Sequence, residues 1–441
     1  MTLRLARWIS SGSDRSYPAS AYEAARNALL DWAAVTVAAR DEAAVRILVD
    51  LYGADAGEST IVASRKRGRA ADAALINGVA AHVLDYDDAV IRMSGHPGCS
   101  IISAAFALGE AARIGGEALL DAIITGYEAA CYVGGMVGKT QYELGFHPTG
   151  TLGTIGSAAA CARILRLDAR LTANALGLAA TQSAGLKGSF GTMAKPLHAG
   201  RAAMTGVMSA QMAQHGFTGE VRIIECSEGF AETHSKSPDI DYPSPDQASR
   251  MHIEDALFKY HAACHFTHPA IDAINAIRSQ APVSLEDVER ITISISDRQK
   301  KVCDIREPET GLDLKFSIRQ LAVMALDGVD TSDPSTYHDM HARDPRYRAA
   351  AQRVELVQPT DEGSHESTVT IITRRGDAHR ARANVVDPSL DLNVTRRRLE
   401  QKAESLVAPI MGPQAFSRLV QTITNIESYS SIQALSELLE F

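Results

Sequence analysis

From Tyr17 to Gly216 the chain is a nearly unbroken succession of alanine-rich stretches in which apolar residues recur at helical spacing, among them residues 21–38, 70–83, 102–112 and 119–137. Alanine has the highest helix propensity, and its small side chain lets neighbouring helices approach closely. Only 5% of the residues are aromatic, too few for an aromatic-rich sandwich core. The first part of the chain is therefore expected to be helical throughout. Glycine interrupts it at His96-Pro97-Gly98, Gly145, Gly150-Thr151-Leu152-Gly153 and residues 185–191, marking loops or helix starts.

A chain of 441 residues exceeds what one hydrophobic core usually serves, so two domains are expected. Residues 238–247 are rich in proline and serine, and beyond Met251 the pattern changes. Residues 291–296 alternate as Ile-Thr-Ile-Ser-Ile-Ser, and 367–374 with 381–386 read as a hairpin around Arg375-Gly376-Asp377. Helical patterning returns after Asp387-Pro388. The fold class is mainly α with an α+β second domain: residues 1–250 plus 388–441 form a helical domain, and 251–387 the α+β domain.

The formal net charge of −9 argues against a nucleic-acid or membrane-surface partner, since both call for a basic face. No uncharged apolar run of about eighteen residues occurs and the N-terminal segment lacks a signal-peptide pattern, so a cytoplasmic protein is expected. Cys99, Cys131, Cys161, Cys226, Cys264 and Cys303 lie far apart, without the paired spacing of zinc or iron–sulfur ligands. They are expected to be reduced thiols.

Four clusters carry chemistry. In the first, Asp85-Tyr86-Asp87-Asp88 precedes Ser94-Gly95-His96-Pro97-Gly98 at the end of an apolar helix. Three carboxylates in four residues cannot share one face, so Asp85 and His96 are the inward candidates; Asp87 and Asp88 equally fit caps or a solvated face. The second runs from Tyr142 through His147, Thr149 and Gly150 to Gly156. It suits either an anion-binding helix start or close helix packing through its glycines. The third holds Lys187, Lys195, His198 and Arg201 ahead of a helical run at 202–214. Cations there oppose the helix dipole, so a bound anion would account for them, as would a solvated basic loop. The fourth contains Lys259, His261, Cys264, His265 and His268, with Lys315 later among Leu314, Phe316 and Ile318, an apolar setting of the kind that lowers amine basicity. A metal site needs more ligands than this cluster supplies, so proton transfer is its better use.

In order and spacing these clusters resemble the MmgE/PrpD family. The resemblance rests on residues 77–82 with Asp85-Tyr86-Asp87-Asp88, on His96-Pro97-Gly98 and on His147-Pro148-Thr149, then on residues 191–198, residues 259–268 and Lys315-Phe316-Ser317. It implies a helical domain built from both chain ends, an inserted α+β domain, an active site between them and a homodimer. It also implies 2-methylcitrate dehydration, cis-aconitate decarboxylation or iminodisuccinate epimerisation. By that likeness Asp85, His96, His147, Lys195 and Lys259 match the decarboxylase-type site, while Tyr142 and Lys315 match the epimerase type. Thr149, Lys187, His198, Arg201 and His265 are candidate substrate-binding groups. Where many relatives carry a hydroxyl after the acid run, this chain has Ala89, a departure from the methylcitrate pattern.

The leading expectation is a lyase of 2-methylcitrate dehydratase type, needing no metal and no cofactor, that acts on a small polycarboxylate by acid–base chemistry. Epimerisation, decarboxylation and a non-catalytic anion-binding scaffold are the alternatives.

Overall fold

The structure, a computed structural model, describes the chain except residues 12–15, 139, 244, 248–249, 359–364 and 387–390, and except the side chains of 247 and 298. The expected return to helix at 388 thus lies outside the described residues. The chain forms two compact units, Met1–Phe258 with Asp391–Phe441, and Lys259–Leu390. It is mainly helical, and the second unit is α+β, built around a four-stranded sheet.

The first unit opens with α1 (Thr2–Ser10), α2 (Ala19–Ala38) and α3 (Ala43–Tyr52). A two-residue ladder of β1 (Ser59–Thr60) and β2 (Arg67–Gly68) follows. Next come α4 (Ala70–Val83), α5 (Gly98–Ala111), α6 (Gly116–Val137) and the single turn α7 (Thr140–Glu143). The unit continues with α8 (Pro148–Ile164), α9 (Ala169–Ala180), α10 (Ala194–Gln214) and α11 (Phe230–His234).

Helices α4, α5 and α8 are buried on nearly every side, as their apolar and small residues all round require. Helix α10 packs on both α4 and α8. Small residues permit that approach: a Cβ on Gly200 would stand 2.3 Å from the Leu75 carbonyl oxygen. In α8, Cβ atoms on Gly150, Gly153 and Gly156 would come within 2.3, 2.5 and 2.7 Å of Ala184, Ser100 and Ile101. These glycines serve close packing, and the Gly150 and Thr151 N–H groups are taken by the His147 carbonyl at 2.9 and 3.1 Å.

The second unit holds α12 (His268–Gln280), α13 (Asp297–Cys303), α14 (Gly311–Leu314), α15 (Ile318–Leu326), α16 (Asp339–Ala342) and α17 (Pro345–Ala351). Its sheet has the order β4-β3-β5-β6, with β3 (Val288–Ser294) parallel to β4 (Val354–Val357) and antiparallel to β5 (Glu366–Thr373). Strand β5 pairs antiparallel with β6 (Ala378–Asn384), starting before the expected residue 381. The reason is a tight turn in which Thr373 N–H donates to the Asp377 carbonyl at 2.9 Å. Helix α12 packs on β5, β6 and α15.

The chain then returns to the first unit as α18 (Leu392–Met411), α19 (Pro413–Thr424) and α20 (Gln433–Leu439), with α18 against α2. Among the described residues no helix is long and apolar enough to cross a membrane. All six cysteines are free, and all but Cys226 are buried.

Candidate active site

Helix α4 ends where its apolar run ends, and the turn at 85–88 that follows delivers the acids. His82 is buried in the last turn of α4. Its Nδ1–H donates to both Asp87 oxygens, at 3.0 and 2.9 Å. Asp85 bends the chain with φ 54°, a left-handed conformation uncommon outside glycine. Asp87 and Asp88 are both 2% exposed, so neither belongs to a solvated face.

Asp88 has two tasks. Its side chain accepts from the Gly98 N–H at 3.0 Å and from the Tyr127 hydroxyl at 2.7 Å, fixing the start of α5. Its backbone carbonyl accepts from His96 Nδ1 at 2.7 Å. Burial, with the charges of Asp31 and Asp87 adding to it, pushes the Asp88 carboxyl up to about 8. Gly98 is required here, because a Cβ would stand 2.5 Å from Asp88 Oδ1.

Since a carbonyl oxygen can only accept, His96 carries a hydrogen on Nδ1, which leaves Nε2 as the nitrogen that can exchange a proton. Thr149 is fully buried, and its hydroxyl oxygen accepts the His96 backbone N–H at 3.1 Å. Its observed task is thus to hold His96. His147, at the N-terminus of α8, is 2% exposed, and its Nδ1 lies 3.1 Å from Nδ1 of His198 on α10. The rings form a chain: His82 to His96 at 4.9 Å between centroids, His82 to His147 at 5.7 Å, and His147 to His198 at 5.3 Å. Phe190 closes on His147 edge-on at 4.9 Å.

Helix α10 begins at Ala194, earlier than the expected 202, so Lys195 lies in its first turn. The Lys195 ammonium donates to Asp85 Oδ1 at 2.7 Å, with both side chains partly exposed. Burial, followed by the charges of His82, Lys195, His96 and His198, holds His147 well below the usual histidine range. Burial and His82 lower His198 as well. Both rings are therefore neutral near pH 7, a state that can accept a hydrogen bond without repelling a cationic neighbour.

Asp85, His96, His147, Lys195 and His198 thus come together, joined by His82 and Asp87, which were not among the sequence candidates. Their signal was spacing: a histidine in a final helical turn, five residues before an acid. Tyr142 and Lys187 form a pair of their own, with the ammonium 3.6 Å over the ring and donating to the Tyr142 carbonyl at 3.0 Å. Arg201 is exposed, with a guanidinium nitrogen 3.2 Å from the Met204 sulfur; the structure does not bring it to the imidazoles.

His82, Asp87 and His96 are the one group of His, Cys, Asp or Glu among the described residues whose ligand atoms are close enough to share a metal ion. The Nδ1 atoms facing that centre act as N–H donors, to Asp87 from His82 and to the Asp88 carbonyl from His96. Hydrogen bonding thus engages the Nδ1 side of both rings, while the buried His82 Nε2 makes no hydrogen bond.

Lys259, His265 and Lys315 belong to the second unit. Lys259 is 3% exposed. His261 spends both nitrogens, Nε2 on Asp272 at 3.0 Å and Nδ1 on the Thr331 hydroxyl at 2.8 Å. His268 donates from Nε2 to the Ala263 carbonyl at 3.1 Å and lies 5.2 Å from the His265 ring. Burial, then His261, His265 and Lys259, hold His268 well below the histidine range. Lys315 accepts the Cys264 N–H on its carbonyl at 2.9 Å, and its ammonium is 5.6 Å from the Tyr337 ring centre.

Known proteins share this chain's sequence over most of its length. It is 26% identical to cis-aconitate decarboxylase of Mus musculus over 392 residues, covering 83% of this chain and 78% of that one. Its identity to the Homo sapiens protein of the same name is 26% over 390 residues, covering 83% and 79%. A cis-aconitate decarboxylase-like protein of Aspergillus oryzae is 26% identical over 324 residues, covering 67% and 66%. The MmgE/PrpD N-terminal domain matches residues 3–243 and the MmgE/PrpD C-terminal domain residues 261–427. With both domains matched in order across most of its length, this chain belongs to the MmgE/PrpD family.

Proposed function

We propose that the protein is a lyase that acts on a small polycarboxylate by acid–base chemistry of its own side chains, with decarboxylation of cis-aconitate as the leading activity. The observation that carries this reading is the pinned His96 ring. Its Nδ1–H is committed to the Asp88 carbonyl, so Nε2 takes and returns protons, beside neutral His147 and the Lys195 ammonium. The extended likeness to proteins named cis-aconitate decarboxylase supports the choice of reaction. The absence of a hydroxyl at Ala89 favours it over dehydration of a methylcitrate.

In such a reaction Lys195 binds a substrate carboxylate, exchanging part of its contact with Asp85. The bond from carbon to the departing carboxylate breaks, and its electron pair moves into the adjacent double bond, which shifts by one carbon. Protonated His96 delivers a proton to the carbon at the far end and is reloaded from water. Carbon dioxide and an unsaturated dicarboxylate are the products. One well-aimed cation or donor at the developing charge is worth roughly 3–4 kcal/mol, and a positioned proton donor a further ~10²–10⁴-fold.

The test is turnover in deuterated water with cis-aconitate, 2-methylcitrate, citrate and iminodisuccinate. Carbon dioxide with a singly deuterated unsaturated product from cis-aconitate is expected. An alkene formed from a hydroxy acid without carbon dioxide would make the enzyme a dehydratase. Deuterium washed into returned, stereochemically scrambled iminodisuccinate would make it an epimerase. Inertness toward all four would favour an anion-binding protein.

A further inference from the structure

The acid turn 85–88 holds His82, His96 and Lys195, and its shape depends on more than its own residues. Asp85 sits at φ 54°, a conformation that persists in a non-glycine residue only when the surroundings over-determine it. Part of that determination comes from the far end of the chain. Lys402, on α18, is 4% exposed. Its ammonium donates to Asp31 Oδ1 on α2 at 2.6 Å and to the Tyr86 backbone carbonyl at 2.7 Å. It also rests 3.9 Å from the centre of the Tyr86 ring. Tyr86 stands between Asp85, which holds Lys195, and Asp87, which orients His82.

Stability gives little reason for this arrangement. A buried ion pair loses most of its attraction to desolvation, and well-packed apolar residues of similar volume often serve as well or better. An apolar pair, however, cannot grip a backbone carbonyl. We propose that Lys402, neutralised by Asp31, is a positioning residue: it clamps the Tyr86 carbonyl and so holds Asp85, Asp87 and the Asp88 carbonyl in the register that aims Lys195, His82 and His96. The proposal rests on the reading of this turn as part of the active site.

Lys402→Met alone removes the cation beside the buried Asp31 charge and compromises folding. The informative variant is therefore Asp31→Leu with Lys402→Met, which removes the pair and refills its volume. Two measurements are made on this variant beside the parent: kcat and KM on cis-aconitate, and the Nδ1–H proton resonances of His82 and His96 in nitrogen-15-labelled samples. The expected result is a folded protein whose kcat falls about 10²-fold, the cost of misplacing reacting groups by roughly an ångström. KM should change far less, and both imidazole N–H signals should broaden or vanish. Unchanged kcat would overturn the proposal, since a merely structural pair alters the thermal midpoint alone. Should the parent turn over none of the candidate acids, the lyase reading fails by itself, and the imidazole signals still decide: their retention in the double variant overturns the clamp, and their loss supports it.

Discussion

Two histidine groups, one in each unit, look equally promising in the sequence and differ in how their nitrogens are spent. In the first unit His82 and His96 commit Nδ1 to Asp87 and to the Asp88 carbonyl. In the second, His261 engages both nitrogens, on Asp272 and Thr331, and the His268 Nε2–H is given to Ala263. An imidazole pinned by one nitrogen is oriented for proton transfer, whereas one pinned by both is a structural crosslink. His261, held at both nitrogens, is therefore a crosslink, whereas His96 is held through Nδ1 on the acid turn; the way the nitrogens are spent separates these two rings.

The largest expected effect is at His96. His96→Gln keeps a polar group but removes the titrating nitrogen, so kcat should fall by roughly 10²–10⁴-fold, measured on cis-aconitate at saturation. Lys195→Ala comes next, with kcat/KM lower by about 10²-fold or more. Its ion pair with Asp85 is partly exposed, so the stability cost should stay within roughly 1 kcal/mol; a large fall in thermal midpoint with normal kcat would place Lys195 in the scaffold. His261→Asn should show the reverse pattern. Loss of its two partners costs about 1–3 kcal/mol by denaturant titration, with kcat unchanged.

Smaller still is the pH dependence of stability. His147 and His198 titrate lower in the folded chain than the ordinary 6.5. Above 6.5 both states are neutral, but below it the unfolded chain takes up protons that the folded one refuses, so stability falls as pH drops from 6.5. Asp88 acts in the opposite sense. Its folded value of about 8 exceeds the ordinary 3.8, so its contribution is complete below 3.8 and is lost as pH rises toward 8. Asp88→Asn should therefore gain on the parent steadily across that window in pH-resolved unfolding, and His147→Phe should flatten the acid-side decline. The smallest effect is expected from chelation. Because the nitrogens around Asp87 act as hydrogen-bond donors, exhaustive metal removal should leave turnover unchanged. Loss of activity that a divalent ion restores would instead make His82, Asp87 and His96 a metal centre.

The helical character of the first unit was legible because alanine-rich runs are locally self-consistent: α4 ends one residue before Leu84, where the apolar pattern stops. The start of α10 was not: the basic run through Lys195, Pro196 and His198 looked like a loop ahead of the helix, yet it forms its first turns. In the first turn the missing N–H of Pro196 would have no intrahelical partner anyway, and proline is tolerated there. Asp85, His96, His147 and Lys195 stand out by residue type, and packing of α4, α8 and α10 gathers them. What sequence could not disclose were the groups that hold them. Tyr127 reaches Asp88, and Lys402 reaches Asp31 across 371 positions, with no periodicity linking them. Thr149 looked like a ligand group because a buried hydroxyl that accepts a neighbour's backbone N–H has the same sequence appearance as one that meets substrate.

The central claim is that proton transfer belongs to the His96 imidazole, which the first unit orients through Nδ1. It is tested most directly by carbon dioxide release from carboxyl-labelled cis-aconitate, measured on metal-free parent, His96→Gln and His261→Asn proteins in parallel. The account predicts release by the parent and by His261→Asn, and its near-complete loss in His96→Gln. Sustained release by a folded His96→Gln, or loss confined to His261→Asn, would contradict it.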